Sequence, residues 1–311
     1  MSAMKAPRVA GLHADAPAGP SVSTTLRGYV ALTKPRIIEL LLVTTVPPMF
    51  VAERGVPSVA LMLLTVVGGT LSAAGANTFN MYIDRDIDAT MARTAHRPLV
   101  VGTVTPRAAL IYGVVLEASA FGILWWGANL LAASLALSAC LFYVFVYTLW
   151  LKRSSAQNIV IGGAAGAAPV LVGWAAVTGT LSLEAWIAFA IVFFWTPPHF
   201  WALAIRYAED YGAAEVPMLP SVASERSVLV QMTLHTGAVI ALSLWFAVAA
   251  GAGGLYWAVA LAGGAAFGWQ LVRLWRALTP ATAMRVFHTS IAYLGLLFAA
   301  MAVDVVVRLS W

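Results

Sequence analysis

The chain has 311 residues, 61% of them hydrophobic and only 10% charged, with a mean hydropathy of +0.86 and a net charge of +5. A water-soluble domain carries about 25% charged residues, so this composition excludes one and places the chain in lipid. The single cysteine, Cys140, excludes a disulfide framework and a cysteine-built metal centre, and reads as a small core hydrophobe.

Residues 1–26 are rich in Ala, Pro, Gly and Ser and lack an apolar run. They are expected to form a disordered cytoplasmic tail, with a short basic transit peptide as the alternative. The remainder, 27–311, is expected to be an all-α, polytopic membrane domain. A span needs about 20 apolar residues to cross about 30 Å of hydrocarbon. Nine runs meet that length, near 35–52, 57–81, 107–126, 129–150, 158–178, 183–205, 227–249, 254–272 and 287–307. Only Gly127-Ala128-Asn129 separates the third and fourth, which predicts a tight antiparallel hairpin. With the amino terminus inside, 16 of the 18 basic residues fall in inside segments, leaving Arg54 and Arg308 outside. That bias is the one cytoplasmic loops show, and a span miscounted by one would scramble it.

Two inside loops also concentrate acids. Along the end of the second span, Asn80, Asp84 and Asp88 stand at i, i+4 and i+8. On a helix they drift by only about 40° and rise about 6 Å per step, so they line one face, with Asn77 near it. Oxygen donors on a stripe suit a hard cation such as Mg²⁺, which shares its shell with substrate phosphates. Asp86 points elsewhere and reads as an ordinary surface charge. Arg93 and Arg97 follow in the same loop as phosphate forks, while Lys152 is balanced between membrane anchor and ligand. The second mixed loop, from Arg206 and Tyr207 through Glu209, Asp210 and Glu215 to Pro220, occupies the equivalent place after the sixth span.

The Asn80-x-x-x-Asp84-x-x-x-Asp88 stripe resembles the motif of the UbiA superfamily of intramembrane prenyltransferases. Further stretches resemble its haem-modifying members: Leu32-Thr-Lys34-Pro-Arg36, Arg93-Thr-Ala-His96-Arg97-Pro-Leu, Asn158-Ile-Val-Ile-Gly-Gly, Trp195-Thr-Pro-Pro-His199-Phe-Trp201 and Pro217-Met-Leu-Pro220. The resemblance implies nine helices around a central cavity in a bacterial inner membrane. It implies Mg²⁺-dependent transfer of farnesyl from farnesyl diphosphate to a vinyl group of protohaem IX, with haem as substrate rather than cofactor. Asp84, Asp88 and Lys152 would be catalytic, and Asn80, Asp84, Asp88 and Asp210 would hold the metal. Arg36, Arg93, Arg97, Lys152, Asn158, His199 and Tyr207 would contact substrates. The implied partners are the two substrates, the bilayer and a haem-processing or oxidase-assembly protein, with no nucleic acid. The second superfamily motif, Asp-x-x-x-Asp, is incomplete, because Ala214 stands four residues after Asp210. Two alternatives remain: the same chemistry on an aromatic or chlorin acceptor, and a secondary transporter, against which the rim position of the acids argues.

Overall fold

The computed structural model describes residues 21–309 apart from residue 214, and leaves out the side chains of residues 36–42, 210 and 213. The described chain is helical throughout its regular elements, in the order α1 Val22–Thr33, α2 Pro35–Glu53, α3 Val59–Ile83, α4 Arg85–Thr90, α5 Pro106–Gly127 and α6 Leu130–Leu141. A π-helix, Phe142–Leu151, and the one-turn α7, Lys152–Ser154, continue α6. Then follow α8 Asn158–Thr178, α9 Leu183–Arg206, α10 Ala208–Ala213, α11 Leu219–Val222, α12 Glu225–Ala249, α13 Gly254–Arg276 and α14 Pro280–Leu309. The stretch expected to be tail up to residue 26 is therefore already helical from Val22, and residues 1–20 lie outside the described ones.

Among the described residues eight helices are long and apolar enough to cross a membrane, and they coincide with eight of the predicted spans. The remaining predicted span, 35–52, coincides with α2. Local chemistry sets these boundaries. Thr105 accepts a hydrogen bond from the Ala108 amide ahead of Pro106 at the first position of α5, and Asn129 accepts one from the Ala132 amide to start α6. The latter cap closes the α5–α6 hairpin over a two-residue connection, Ala128-Asn129, one residue shorter than expected because Gly127 ends α5. Exposed tryptophans gather at the helix ends: Trp125, Trp126 and Trp186 at one end of the bundle, Trp150 and Trp275 at the other. That is the arrangement interfacial rings adopt at the two faces of a bilayer.

Inside the bundle, packing relies on small residues that let backbones approach. α2 lies against α8 and α14, and a Cβ on Gly173 of α8 would stand 2.1 Å from the Thr45 carbonyl oxygen of α2. The largest buried cluster joins α8, α9, α12, α13 and α14. Asp304 of α14 stitches two of these together, its carboxylate accepting from the Gly253 amide (2.6 Å) and the Tyr256 amide (3.3 Å) at the start of α13. At the end of the bundle that carries α4, Ile87 packs with Ile159, Val216, Met218 and Tyr147, so the two acid-bearing loops are brought against one another.

Candidate active site

The acidic stripe forms as its spacing predicts, across a change of helix. Asp84 closes α3 with φ −82° and ψ 3°, yet its amide donates to the Asn80 carbonyl (2.9 Å) and the Asp88 amide donates to the Asp84 carbonyl (2.8 Å). The i to i+4 ladder therefore carries through into α4. Asn80, Asp84 and Asp88 are 3%, 0% and 2% exposed. Asn77 is buried too but turns away, its carboxamide donating to the Thr33 carbonyl (3.0 Å) to tie α3 to the end of α1.

Cations from three separate segments converge on the stripe. The Lys152 ammonium donates to Asp84 Oδ2, and Arg97 donates to Asp88 Oδ2 at 2.6 Å. Lys34 donates to Asn80 Oδ1 at 2.6 Å. Asn80 Nδ2 in turn donates to Asp84 Oδ2 (2.8 Å) and Thr148 Oγ1 (3.1 Å). Asp84 Oδ1 accepts no hydrogen bond from a described residue, the nearest cation being Arg153 at 3.8 Å. Burial, and then repulsion from Arg97 and Lys152, lowers the Lys34 ammonium to about 7, with Asp84 and Asp88 opposing the fall. Three basic side chains thus meet the two buried carboxylates, an arrangement suited to a polyanion.

The backbone of two segments explains how these side chains reach the stripe. Lys34 sits between α1 and α2 in the left-handed region (φ 52°), with Pro35 opening α2, and this sharp joint turns its side chain inward. The π-helix does the same for Tyr143, Thr148 and Lys152. At about 100° per residue an α-helix would set positions 143 and 152 about 180° apart. The wider turn brings them to one side: Tyr143 and Tyr147 stack at 5.3 Å, Thr148 Oγ1 donates to the Tyr143 carbonyl five residues back, and Lys152 meets Asp84. Gly162 of α8 makes room for this, since a Cβ there would stand 2.3 Å from the Tyr147 ring.

The other expected site residues are placed less uniformly. Arg93 is exposed on the wall of a neighbouring cavity. The Asn158 side chain is buried at the start of α8, where Nδ2 reaches the Pro217 carbonyl of the second loop at 3.5 Å and Oδ1 accepts no hydrogen bond among the described residues. Tyr207 closes α9, half-buried, with the Arg206 guanidinium over its ring at 5.8 Å. His199 is buried between the rings of Trp195 (4.2 Å) and Phe287 (4.5 Å), and its Nδ1 meets Ser290 Oγ at 2.9 Å. That hydroxyl donates to the Phe287 carbonyl (2.7 Å), which ties the imidazole to α14. The side chains of Arg36 and Asp210 lie outside the described residues.

Three residues join the site without having been assigned to it from sequence: Lys34, Thr148 and Arg153. Lys34 stands within a motif stretch, but its neighbour Arg36 is the more obvious phosphate fork. Asp86, expected to be an ordinary surface charge, is 62% exposed at its side chain yet receives both Arg153 nitrogens at 2.8 Å. Those hydrogen bonds hold its carboxyl well below the usual range and tie α4 to α7.

Residues 41–300 match the model of the UbiA prenyltransferase family. A protoheme IX farnesyltransferase of Pseudarthrobacter chlorophenolicus is 52% identical over 298 residues, covering 94% of this chain and 93% of that protein. A protoheme IX farnesyltransferase 1 of Saccharopolyspora erythraea is 52% identical over 98% of this chain and 97% of its own length. Among solved structures, a digeranylgeranylglyceryl phosphate synthase superposes with a TM-score of 0.76 at 18% identity, over 91% of this chain and 99% of the other. A UbiA homolog from Archaeoglobus fulgidus bound to GPP and Mg²⁺ superposes with a TM-score of 0.64 at 18% identity, over 88% and 99%. With nine-tenths of its length so matched, and its acids and cations gathered at one end of the helices, the chain belongs to the UbiA prenyltransferase family.

Proposed function

We propose that this chain transfers farnesyl from farnesyl diphosphate to a vinyl group of protohaem IX, with water completing a hydroxyethylfarnesyl product and diphosphate leaving. The observation that carries the reading is the 52% identity, over almost the whole chain, to protoheme IX farnesyltransferases. The Pro197-Pro198-His199 stretch and Trp201, buried within α9, accord with it.

Asn80, Asp84 and Asp88 fit Mg²⁺, since all their donor atoms but one amide nitrogen are oxygens and Asp84 Oδ1 is buried without a hydrogen bond. A bound Mg²⁺ would supply Lewis-acid neutralisation of the diphosphate. Lys34, Arg97 and Lys152 hold the diphosphate oxygens. As the C1–O bond of the substrate breaks, negative charge grows on the leaving diphosphate, and these desolvated cations stabilise it without having to reorganise. The allylic cation left behind is attacked by the vinyl π electrons, forming the new C–C bond. Water adds to the resulting cation and loses a proton. The stacked faces of Tyr143 and Tyr147 lie one and two turns deeper than Lys152 along the same segment, where an allylic cation is shielded from bulk water. His199 is assigned to the acceptor side on the Trp195-Thr-Pro-Pro-His199-Phe-Trp201 stretch that carries it. Asp210 is assigned to the metal shell, and Arg36, Arg93, Asn158 and Tyr207 to substrate contact, on the motif stretches and the second mixed loop that carry them.

The domain 27–311 acts as one catalytic unit in the bacterial inner membrane, its site at the cytoplasmic face, because the basic residues concentrate there. Purified protein incubated with Mg²⁺, farnesyl diphosphate, protohaem and a competing aromatic acid tests the reading by mass spectrometry. Haem carrying one farnesyl chain and one hydroxyl is expected. A prenylated aromatic acid beside unchanged haem would move the protein to another acceptor.

A further inference from the structure

Beside the stripe, on its α1 side, lies a second basic space. It is a cavity of about 650 Å³ between α1 and the loop that follows α4. Arg27, Lys34, Arg93, His96 and Arg97 line it, and no acidic side chain does so among the described residues. Its basic side chains divide into two sets. Lys34 and Arg97 form the inner wall and are already engaged by Asn80 and Asp88. Arg27, Arg93 and His96 are exposed and make no hydrogen bond or ion pair with a described residue. A concave surface of one charge sign concentrates the opposite charge, and the inner wall has its own anion in the diphosphate. The outer wall is left for another.

We propose that this outer wall, Arg27 of α1 facing His96 of the loop, binds the propionate carboxylates of the porphyrin acceptor. The inference rests on the haem reading above and adds to it the element that orients haem. Protohaem is the one substrate of that reaction with two carboxylates on one edge of a flat apolar ring, and its vinyl groups lie away from that edge. A cavity that sets exposed basic side chains beside the buried, apolar Met81, the residue next to Asn80 on α3, matches such an edge. Held by its acid edge at the rim, the ring directs its vinyl edge inward, toward the apolar helices where the isoprenoid lies. The width of the cavity is fixed by contact: a Cβ on Gly28 would stand 2.9 Å from Val104 Cγ2, so α1 rests directly on the end of the loop. Arg offers two parallel donors to one carboxylate, and such a charge-assisted pair is stronger than a neutral hydrogen bond.

Haem binding to the purified full chain, followed by quenching of tryptophan fluorescence, tests this without turnover. Arg27→Gln is expected to weaken binding of protohaem about tenfold, and His96→Gln severalfold. Arg27→Lys, which keeps the charge, should recover part of the loss. Protohaem dimethyl ester should bind wild type and Arg27→Gln equally, an outcome that a merely structural role for Arg27 would not produce. KM for farnesyl diphosphate should change less than twofold. Equal protohaem affinity in wild type and Arg27→Gln would overturn the proposal. A raised KM for farnesyl diphosphate with unchanged haem affinity would overturn it too, assigning the cavity to diphosphate. If wild type binds haem in this pattern yet transfers no farnesyl to it, the proposed reaction fails while the carboxylate site stands.

Discussion

Lys34 shows how one side chain acquires a role through its backbone. Its left-handed φ turns the ammonium onto Asn80 Oδ1, and burial among other cations brings its proton affinity down to about 7. An arriving diphosphate supplies the anion that such a cation lacks. Lys34→Ala is therefore expected to raise KM for farnesyl diphosphate by about tenfold, a loss of about 1.4 kcal/mol typical of one hydrogen bond to a charged group. Steady-state kinetics at saturating haem and Mg²⁺ measures it, and an unchanged KM would remove Lys34 from the site. The stripe itself was legible in the sequence because helical spacing is rigid and acids at membrane depth are costly. Lys34 was not, because nothing local announces a left-handed lysine before Pro35. The buried partner of Asn80, Thr148, was hidden for a different reason: its facing depends on the turn width of the helix that carries it.

At the scale of elements, the apolar runs predicted the spans to within about four residues, except that the last helix begins at Pro280 rather than at 287, because its first two turns are too polar to read as a span. The π-helix escaped prediction. Phe142–Leu151 is as apolar as any α-helical span, and composition does not distinguish a widened turn from an ordinary one. The second acid-bearing loop was only half legible. Its hydrophobic Val216 and Met218 pin it against Ile87 and Tyr147, while Asp210 offers a single acid in place of a pair. Helix approach is the tightest constraint at this scale. Gly173→Ala would press a methyl group against the Thr45 carbonyl, forcing α2 and α8 apart at a cost of about 2 kcal/mol or more. Thermal unfolding in detergent should show a clear loss of stability; an unaltered melting temperature would mean that α2 and α8 separate without penalty.

For the whole molecule, the excess of basic residues in alternate loops predicts an amino terminus inside and a carboxyl terminus outside. Compartment reporters fused at residues 155 and 180, which flank α8, should give opposite answers, and identical answers would break the topology. The described acids and cations of the site, Asp84, Asp88, Lys34, Arg97 and Lys152, gather at one end of the bundle. The account stands or falls on that end being a metal–diphosphate site built along one helical face. Turnover of protohaem and farnesyl diphosphate at saturating Mg²⁺ by Asp84→Ala and Asp86→Ala, each confirmed folded in detergent, tests it most directly. Asp84 is fully buried at the convergence of Asn80, Lys152 and the helix end, and losing it removes charge neutralisation and positioning together. A fall of about a hundredfold or more is predicted for Asp84→Ala. Asp86 is largely exposed and paired only with Arg153, so Asp86→Ala should cost less than about threefold. Equal damage from the two substitutions would contradict the account, since the metal would then be held by a different face of the loop.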